Sequence, residues 1–224
     1  MNGIYIVQAG TGTDQIGRFD IMVDTDLNAI DSFTWQLVPI NNETCGKDEE
    51  MEQFINQYRV ETDKKYDRIV TRFTNCLTHP ARNQETALGN LIADILCDSL
   101  RVDLMLMGSG AIRSYGLGPV VHYQALVECL PYDETVYMLR VNGTQIERML
   151  LDGKALDKQK LYTIALSKFH YMNMQNFLDI SLEELKPNAP PRVLATSYRD
   201  IIEEYMMMNP HLFREVEGRL VVKE

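Results

Sequence analysis

No run of apolar residues in this 224-residue sequence approaches the ~20 needed for a membrane-spanning helix. Its start, MNGIYIVQAGTG, carries neither a basic leader nor a signal-type cleavage pattern, so neither a membrane span nor export is expected. Positive charge is scarce: 22 Lys and Arg stand against 32 Asp and Glu, a net charge of −10. A nucleic-acid polymer is therefore not an expected partner, because binding its backbone needs a basic face. Cysteine is sparse as well. Cys45, Cys76, Cys97 and Cys129 show no C-x-x-C spacing and are too few for a disulfide scaffold, which reads as reduced thiols and favours a cytoplasmic setting. His79, His122, His170 and His211 form no i, i+4 pair, so each is read as a structural or surface residue and no metal site is expected within the chain. Repeats and low-complexity tracts are absent.

What remains is a globular composition, 45% hydrophobic, with enough apolar material for a real core. The first forty residues read as strands. GIYIVQAG is a short apolar run closed by glycine; RFDIMVD alternates Phe19, Ile21 and Val23 against Asp20, Met22 and Asp24; after a TDLNA turn, IDSFTWQLVPI stops near Pro39. Such a hairpin is marginal by itself, which leads to the expectation that it is a remnant (1–45) of a larger β-containing domain. Residues 46–66 read as a charged linker helix with one apolar stripe, Met51, Phe54, Ile55 and Tyr58.

The main domain is expected over 67–224. Leu88, Leu91, Ile92, Ile95 and Leu96 share one helical face, with Asn83 and Glu85 suited to the N-terminal end. VDLMLM reads as a buried strand, YQALVECL as a short helix ending at Pro131, and ETVYMLRVNG as a strand reaching an Asn142-Gly143 turn. TQIERMLL then reads as a helix with a capping box of Thr144 and Glu147. LYTIALS is a further strand, KFHYMNMQNFLDISLEELK a loop or short helix, TSYRDIIEEYMMMN an amphipathic helix and GRLVVKE a weak strand. Irregular alternation of this kind predicts an α+β fold with a mixed β-sheet and packed helices, preceded by a β-hairpin.

Between the VDLMLM strand and YQALVECL lies MGSGAIRSYGLGPV. Gly108, Ser109, Gly110 and Ala111 would leave backbone amides open to a ligand, and Arg113 would add a forked donor suited to phosphate or carboxylate. The loop has neither the Walker lysine nor the G-x-G-x-x-G spacing, so by itself it reads more readily as a plain structural turn.

Taken in order, RNQETALGNLIAD (82–94), GSGAIR, ECLPYDETVY, VNGTQIERML and YTIALSKF resemble the C-terminal domain of the 5′-nucleotidase family. The preceding IYIVQAGTGTDQIGRFDIMVD resembles the last strands of that family's metallophosphoesterase domain. The resemblance implies a fold like that C-terminal domain and a role in gripping a nucleotide. A divalent metal pair, held by the family's N-terminal domain through D-x-H, N-H-E and G-H-x-H motifs, is implied as cofactor and that domain as partner. This sequence contains none of those motifs, so the chain is expected to be inactive alone. Arg82 and Arg113 fall on the family's two phosphate-contacting arginines. Tyr132 and Phe169 fall on the two aromatics that sandwich the nucleobase, with Gly108 and Gly110 in the loop beside them.

Two departures matter. Gly108 stands where the family carries an asparagine that touches the base, and Asn173, Met174 and Gln175 stand where it carries a Gly-Gly-Asp that binds the ribose, leaving Gln175 as the substitute ribose contact. The segment near 151–156 also looks shorter than the family pattern. Two functions follow from different classes. One is the nucleotide-recognition domain of a metal-dependent 5′-nucleotidase or related phosphoesterase, acting on nucleoside monophosphates, 2′,3′-cyclic nucleotides or nucleotide-sugars, with 41–66 as a hinge. The other is a non-catalytic interaction module that kept the fold and lost the nucleotide.

Overall fold

The computed structural model describes residues 4–10, 12–149, 157–185, 188 and 190–219. Contacts divide the chain into two compact units, Met1–Glu61 and Thr62–Glu224.

The first unit is an antiparallel hairpin of β1 (Gln15–Asp24) and β2 (Ala29–Pro39), followed by helix α1 (Glu49–Tyr66), which runs across the boundary. Phe19 pairs with Trp35 and Ile21 with Phe33, and the register shifts between Met22 and Val23. The rings of Phe19, Phe33 and Trp35 gather with centroids 4.6 and 5.9 Å apart. The tip of the Trp35 indole also reaches Gly17, where a methyl group would overlap the ring. Ile21, Met22 and Val23 stay exposed, so the half-buried strand implied by the alternation is not found within this unit. Residues 4–10 do not form the expected strand: they pair with no other strand, and Ile4 and Ile6 are exposed. In α1 the acidic Glu49, Glu50 and Glu52 occupy the first turn and Lys64 and Lys65 the last, matching the helix dipole. The Met51, Phe54, Ile55 and Tyr58 stripe is exposed along the helix.

The second unit is built on a four-stranded mixed sheet in the order β10 (Arg192–Ala195), β8 (Val136–Asn142), β9 (Leu161–Ser167), β5 (Leu104–Leu106). Only the β5–β9 pair is parallel. Two short antiparallel pairs accompany it, β3 (Ile69–Arg72) with β7 (Val120–His122) and β4 (Leu77–Thr78) with β6 (Gly116–Leu117). Side chains alternate across the sheet. Met105 and Ala165 join the core formed with α2 (Ala87–Leu100), α3 (Tyr123–Cys129) and α8 (Tyr198–Met208). Ile164, Leu166, Leu139 and Val141 join a second core with α4 (Gly143–Met149), α6 (Met174–Leu178) and α7 (Leu182–Leu185). One further short helix, α5 (Lys168–Met172), follows β9 directly. The α+β class and the mixed sheet are as expected from the sequence.

All five apolar residues of the α2 face are fully buried. Each such side chain contributes about 1.5–3 kcal/mol, so this face anchors the unit. The helix is capped by Thr86, whose hydroxyl accepts from the Gly89 N–H, rather than by Asn83. Glu85 bonds the Asn90 amide and the Glu217 N–H instead. The start of α4 is also displaced from expectation. Asn142 and Gln145, not Thr144 and Glu147, form the reciprocal capping box, and β8 enters α4 with no hairpin turn. Gly143 is required there because the Asp157 backbone occupies the space of a side chain. The C-terminal segment runs back over α2, where Arg214 and Arg219 both reach Asp94 and the Asn90 amide holds the Glu215 carbonyl. Of the expected weak C-terminal strand, 218–219 show none and the rest lies outside the described residues, as does the 151–156 segment.

Candidate functional site

A cavity of ≈ 410 Å³ opens in the second unit between the loop after β5, the loop before β8 and the start of α5. Gly108, Gly110, Tyr132 and Phe169 line it, together with Glu134 and His170. Thus four of the seven residues singled out in the sequence meet in one place. Arg113 is beside them, with its guanidinium carbon 5.9 Å from the Tyr132 ring centroid and Nη1 3.5 Å from the Gly110 carbonyl. Arg82 is next to the same loop: its Nη1 is 3.8 Å from where a Gly110 Cβ would stand, and its carbonyl accepts from the Ser109 hydroxyl at 2.6 Å. Both arginines are exposed, and neither has a carboxylate partner among the described residues. Gln175 is elsewhere. It lines a second cavity of ≈ 300 Å³ with Met172, Met174 and Leu182, and its amide is 3.5 Å from Asp179.

The loop at 108–113 is held from several sides. Residues 109–111 form one 3₁₀ turn in which the Ala111 N–H bonds the Gly108 carbonyl and the Ile112 N–H the Ser109 carbonyl. Ile112 is buried, and the Arg113 N–H donates to the Cys129 carbonyl. The Ala111 amide is therefore already satisfied, contrary to the open-amide expectation. Gly108 has ordinary dihedrals, φ −66° and ψ 134°, so conformational freedom is not its role. Its role is space: a Cβ there would fall 2.8 Å from His170 Cε1.

His79 ties this loop to α2. Its Nε2 is 3.1 Å from the Ser109 carbonyl and its Nδ1 2.9 Å from the Thr86 hydroxyl. A carbonyl only accepts, which assigns the proton to Nε2 and makes Nδ1 the acceptor of the Thr86 O–H. Burial lowers the His79 pKa, the Ser109 bond opposes this, and nearby Arg82 adds to the lowering, so the ring is neutral near pH 7.

On the other wall, the start of α8 clamps residues 130–134. The Tyr198 hydroxyl donates to the Tyr132 carbonyl, Arg199 donates to the Leu130 carbonyl at 3.1 Å, and the Ser197 hydroxyl donates to Asp133 at 2.9 Å. Burial raises the Tyr198 pKa, so its donor proton is retained. Glu134 accepts from the Phe169 N–H at 3.0 Å, which joins this loop to α5. Sequence reasoning did not single out His79, Glu134, His170 or Tyr198. Glu134 and His170 adjoin Tyr132 and Phe169 in sequence, and that adjacency was the available signal; Tyr198 offered none.

Among the described residues no three His, Cys, Asp or Glu side chains converge to hold a metal ion, and no helix is long and apolar enough to cross a membrane. The arrangement offers guanidinium groups for an anion, exposed aromatic faces for a flat ring and two polar side chains between them. Such an arrangement can bind and orient a ligand.

Residues 61–152 match the family model described as 5′-nucleotidase, C-terminal domain. Similar solved structures include the 5′-nucleotidase precursor from Thermus thermophilus, with a TM-score of 0.74 and 17% identity over 96% of this chain and 51% of that one. The 5′-nucleotidase from Candida albicans gives 0.61 and 12%, over 88% and 52%. The NAD nucleotidase from Haemophilus influenzae gives 0.56 and 13%, over 88% and 46%. The chain thus spans about half the length of the solved structures it matches. No curated protein sequence matches it.

Proposed function

We propose that the cavity of this chain, whose residues 61–152 match the family model of the 5′-nucleotidase C-terminal domain, recognises a nucleoside monophosphate or related phosphate ester for a metal-dependent 5′-nucleotidase or phosphoesterase. One observation carries the reading: Tyr132, Phe169, Gly108 and Gly110, remote in sequence, line a single cavity with Arg113 and Arg82 at its side. Guanidinium forks suit a phosphate, and half-exposed aromatic rings suit a base. Among the described residues no three His, Cys, Asp or Glu side chains gather for a metal ion, and the share we assign to this chain is to bind and orient the ligand. A divalent metal pair in another domain would supply the Lewis acid and the activated water.

Isothermal titration of the full chain with adenosine, AMP and inorganic phosphate tests this. Binding of AMP that weakens in both Arg113→Ala and Tyr132→Ala supports it. No affinity for any of the three would return the chain to the class of interaction modules that kept the fold alone.

A further inference from the structure

The strongest feature not used so far is the relation between Gly108 and His170. Gly108 adopts dihedrals open to any residue, yet a Cβ there would lie 2.8 Å from Cε1 and 2.9 Å from Nε2 of His170. The imidazole therefore occupies the space of the missing side chain. It is held there from both sides. Its Nδ1 is 3.0 Å from the Ser167 hydroxyl, Phe169 meets it edge-on at 5.3 Å and Phe177 packs at 5.6 Å. Its Nε2 has no hydrogen-bond partner among the described residues, and the ring is part of the cavity wall.

Aromatic faces grip any flat ring with little discrimination, so a base can be told from other planar groups only by hydrogen bonds in its own plane. The cavity has five polar side chains, and two are committed: Tyr198 to the Tyr132 carbonyl and Ser167 to His170. That leaves the Tyr132 hydroxyl on the rim of one of the rings, His170 Nε2, and the Glu134 carboxylate, which retains acceptor capacity beyond its bond from the Phe169 N–H; of these, His170 is the one fixed in the space beside Gly108. Burial lowers the His170 pKa against the opposing field of Glu134, so the imidazole is neutral near pH 7 and offers one in-plane contact rather than a charge.

We propose that His170 is a specificity-determining residue of this site: seated in the space that Gly108 leaves, it hydrogen-bonds through Nε2 to the edge of a heteroaromatic base lying against Tyr132 and Phe169. The inference rests on the nucleotide reading above and adds the group that reads the base.

The test titrates the full chain and its variants with AMP and with ribose 5-phosphate, which has the phosphate and no base. His170→Ala and, as a smaller perturbation, His170→Gln are compared with wild type, with circular dichroism confirming the fold. AMP affinity is expected to fall about tenfold in His170→Ala, the worth of one hydrogen bond, while ribose 5-phosphate affinity changes less than about twofold. Gly108→Ala is expected to reproduce that loss by displacing the ring, and the Gly108→Ala, His170→Ala double variant to be no weaker than His170→Ala alone. Equal losses for both ligands, unchanged AMP binding in His170→Ala, or additive effects at 108 and 170 would overturn the assignment. If wild type binds ribose 5-phosphate as tightly as AMP, base reading fails while phosphate recognition stands. If it binds neither, the nucleotide reading falls and this one with it.

Discussion

His79 joins the capped end of α2 to the loop that lines the cavity, and its replacement tests whether that loop is held in place or merely adjacent. The ring donates to the Ser109 carbonyl and accepts from the Thr86 hydroxyl, which in turn accepts from the Gly89 N–H. His79→Leu preserves bulk and removes both contacts. The Ser109 carbonyl keeps its bond from the Ile112 N–H and the Thr86 hydroxyl its bond from Gly89, so the main losses are the hydrogen bond to Ser109 and a buried Thr86 O–H left without its acceptor. Together these cost about 2–3 kcal/mol, roughly 30- to 150-fold in the folding equilibrium. His79→Gln offers an amide donor and a carbonyl acceptor on a shorter reach and should recover part of the loss. Urea unfolding of the three chains gives the answer through the midpoint at constant slope. AMP titration should show His79→Leu weakened alongside, since Ser109 and Gly110 lose a tether. An unchanged midpoint in His79→Leu, or His79→Gln as unstable as His79→Leu, would refute the tethering role.

Acid should destabilise the chain in two steps. His79 and His170 are held below the usual histidine value of 6.5, chiefly by burial, so the unfolded chain takes up protons first and stability falls as pH drops below about 6.5. His79→Gln should flatten that part of a stability-against-pH curve, and an equally steep curve would contradict the assignment. Asp94 acts lower: burial alone would raise its pKa, but the bonds from Arg219 and Arg214 outweigh this and hold it down. Its stabilisation is present above the usual carboxylate range and is lost as pH falls below it. Asp94→Asn should cost about 1 kcal/mol at pH 7, discounted for partial exposure, and a neutral effect would show the double clamp to be idle. Thiol labelling at pH 8 should modify Cys45 and Cys76 quickly, Cys97 slowly, and Cys129 only on unfolding, because burial pushes its pKa up to about 11. Four thiols reacting at one rate would contradict the packing around α3.

The parts of the fold that were legible in the sequence are those whose hydrophobic period is strong. The α2 face, the β8 and β9 runs and the amphipathic α8 each bury what their spacing says they should. The caps were less legible because several polar residues near a helix start compete. Thr86 prevailed over Asn83, and Asn142 over Thr144, through backbone geometry that spacing does not encode. GIYIVQAG failed as a strand because apolar character alone does not supply a pairing partner. Around the cavity, residues with an evident chemical handle, Tyr132, Phe169, Arg82 and Arg113, lie near one another. Gly108 was read as lost function, since only the three-dimensional contact shows that His170 fills the space it leaves. Gln175 was assigned to the site by its place in the chain, and the α5–α6 corner turns it toward a different cavity.

The most direct test of the central claim is a backbone amide NMR titration of the full chain with AMP. Shifts concentrated at 108–113, 132–134 and 169–170, saturating with one affinity, are the predicted result. Shifts confined to the cavity around Met172 and Gln175, or none at all, would contradict it.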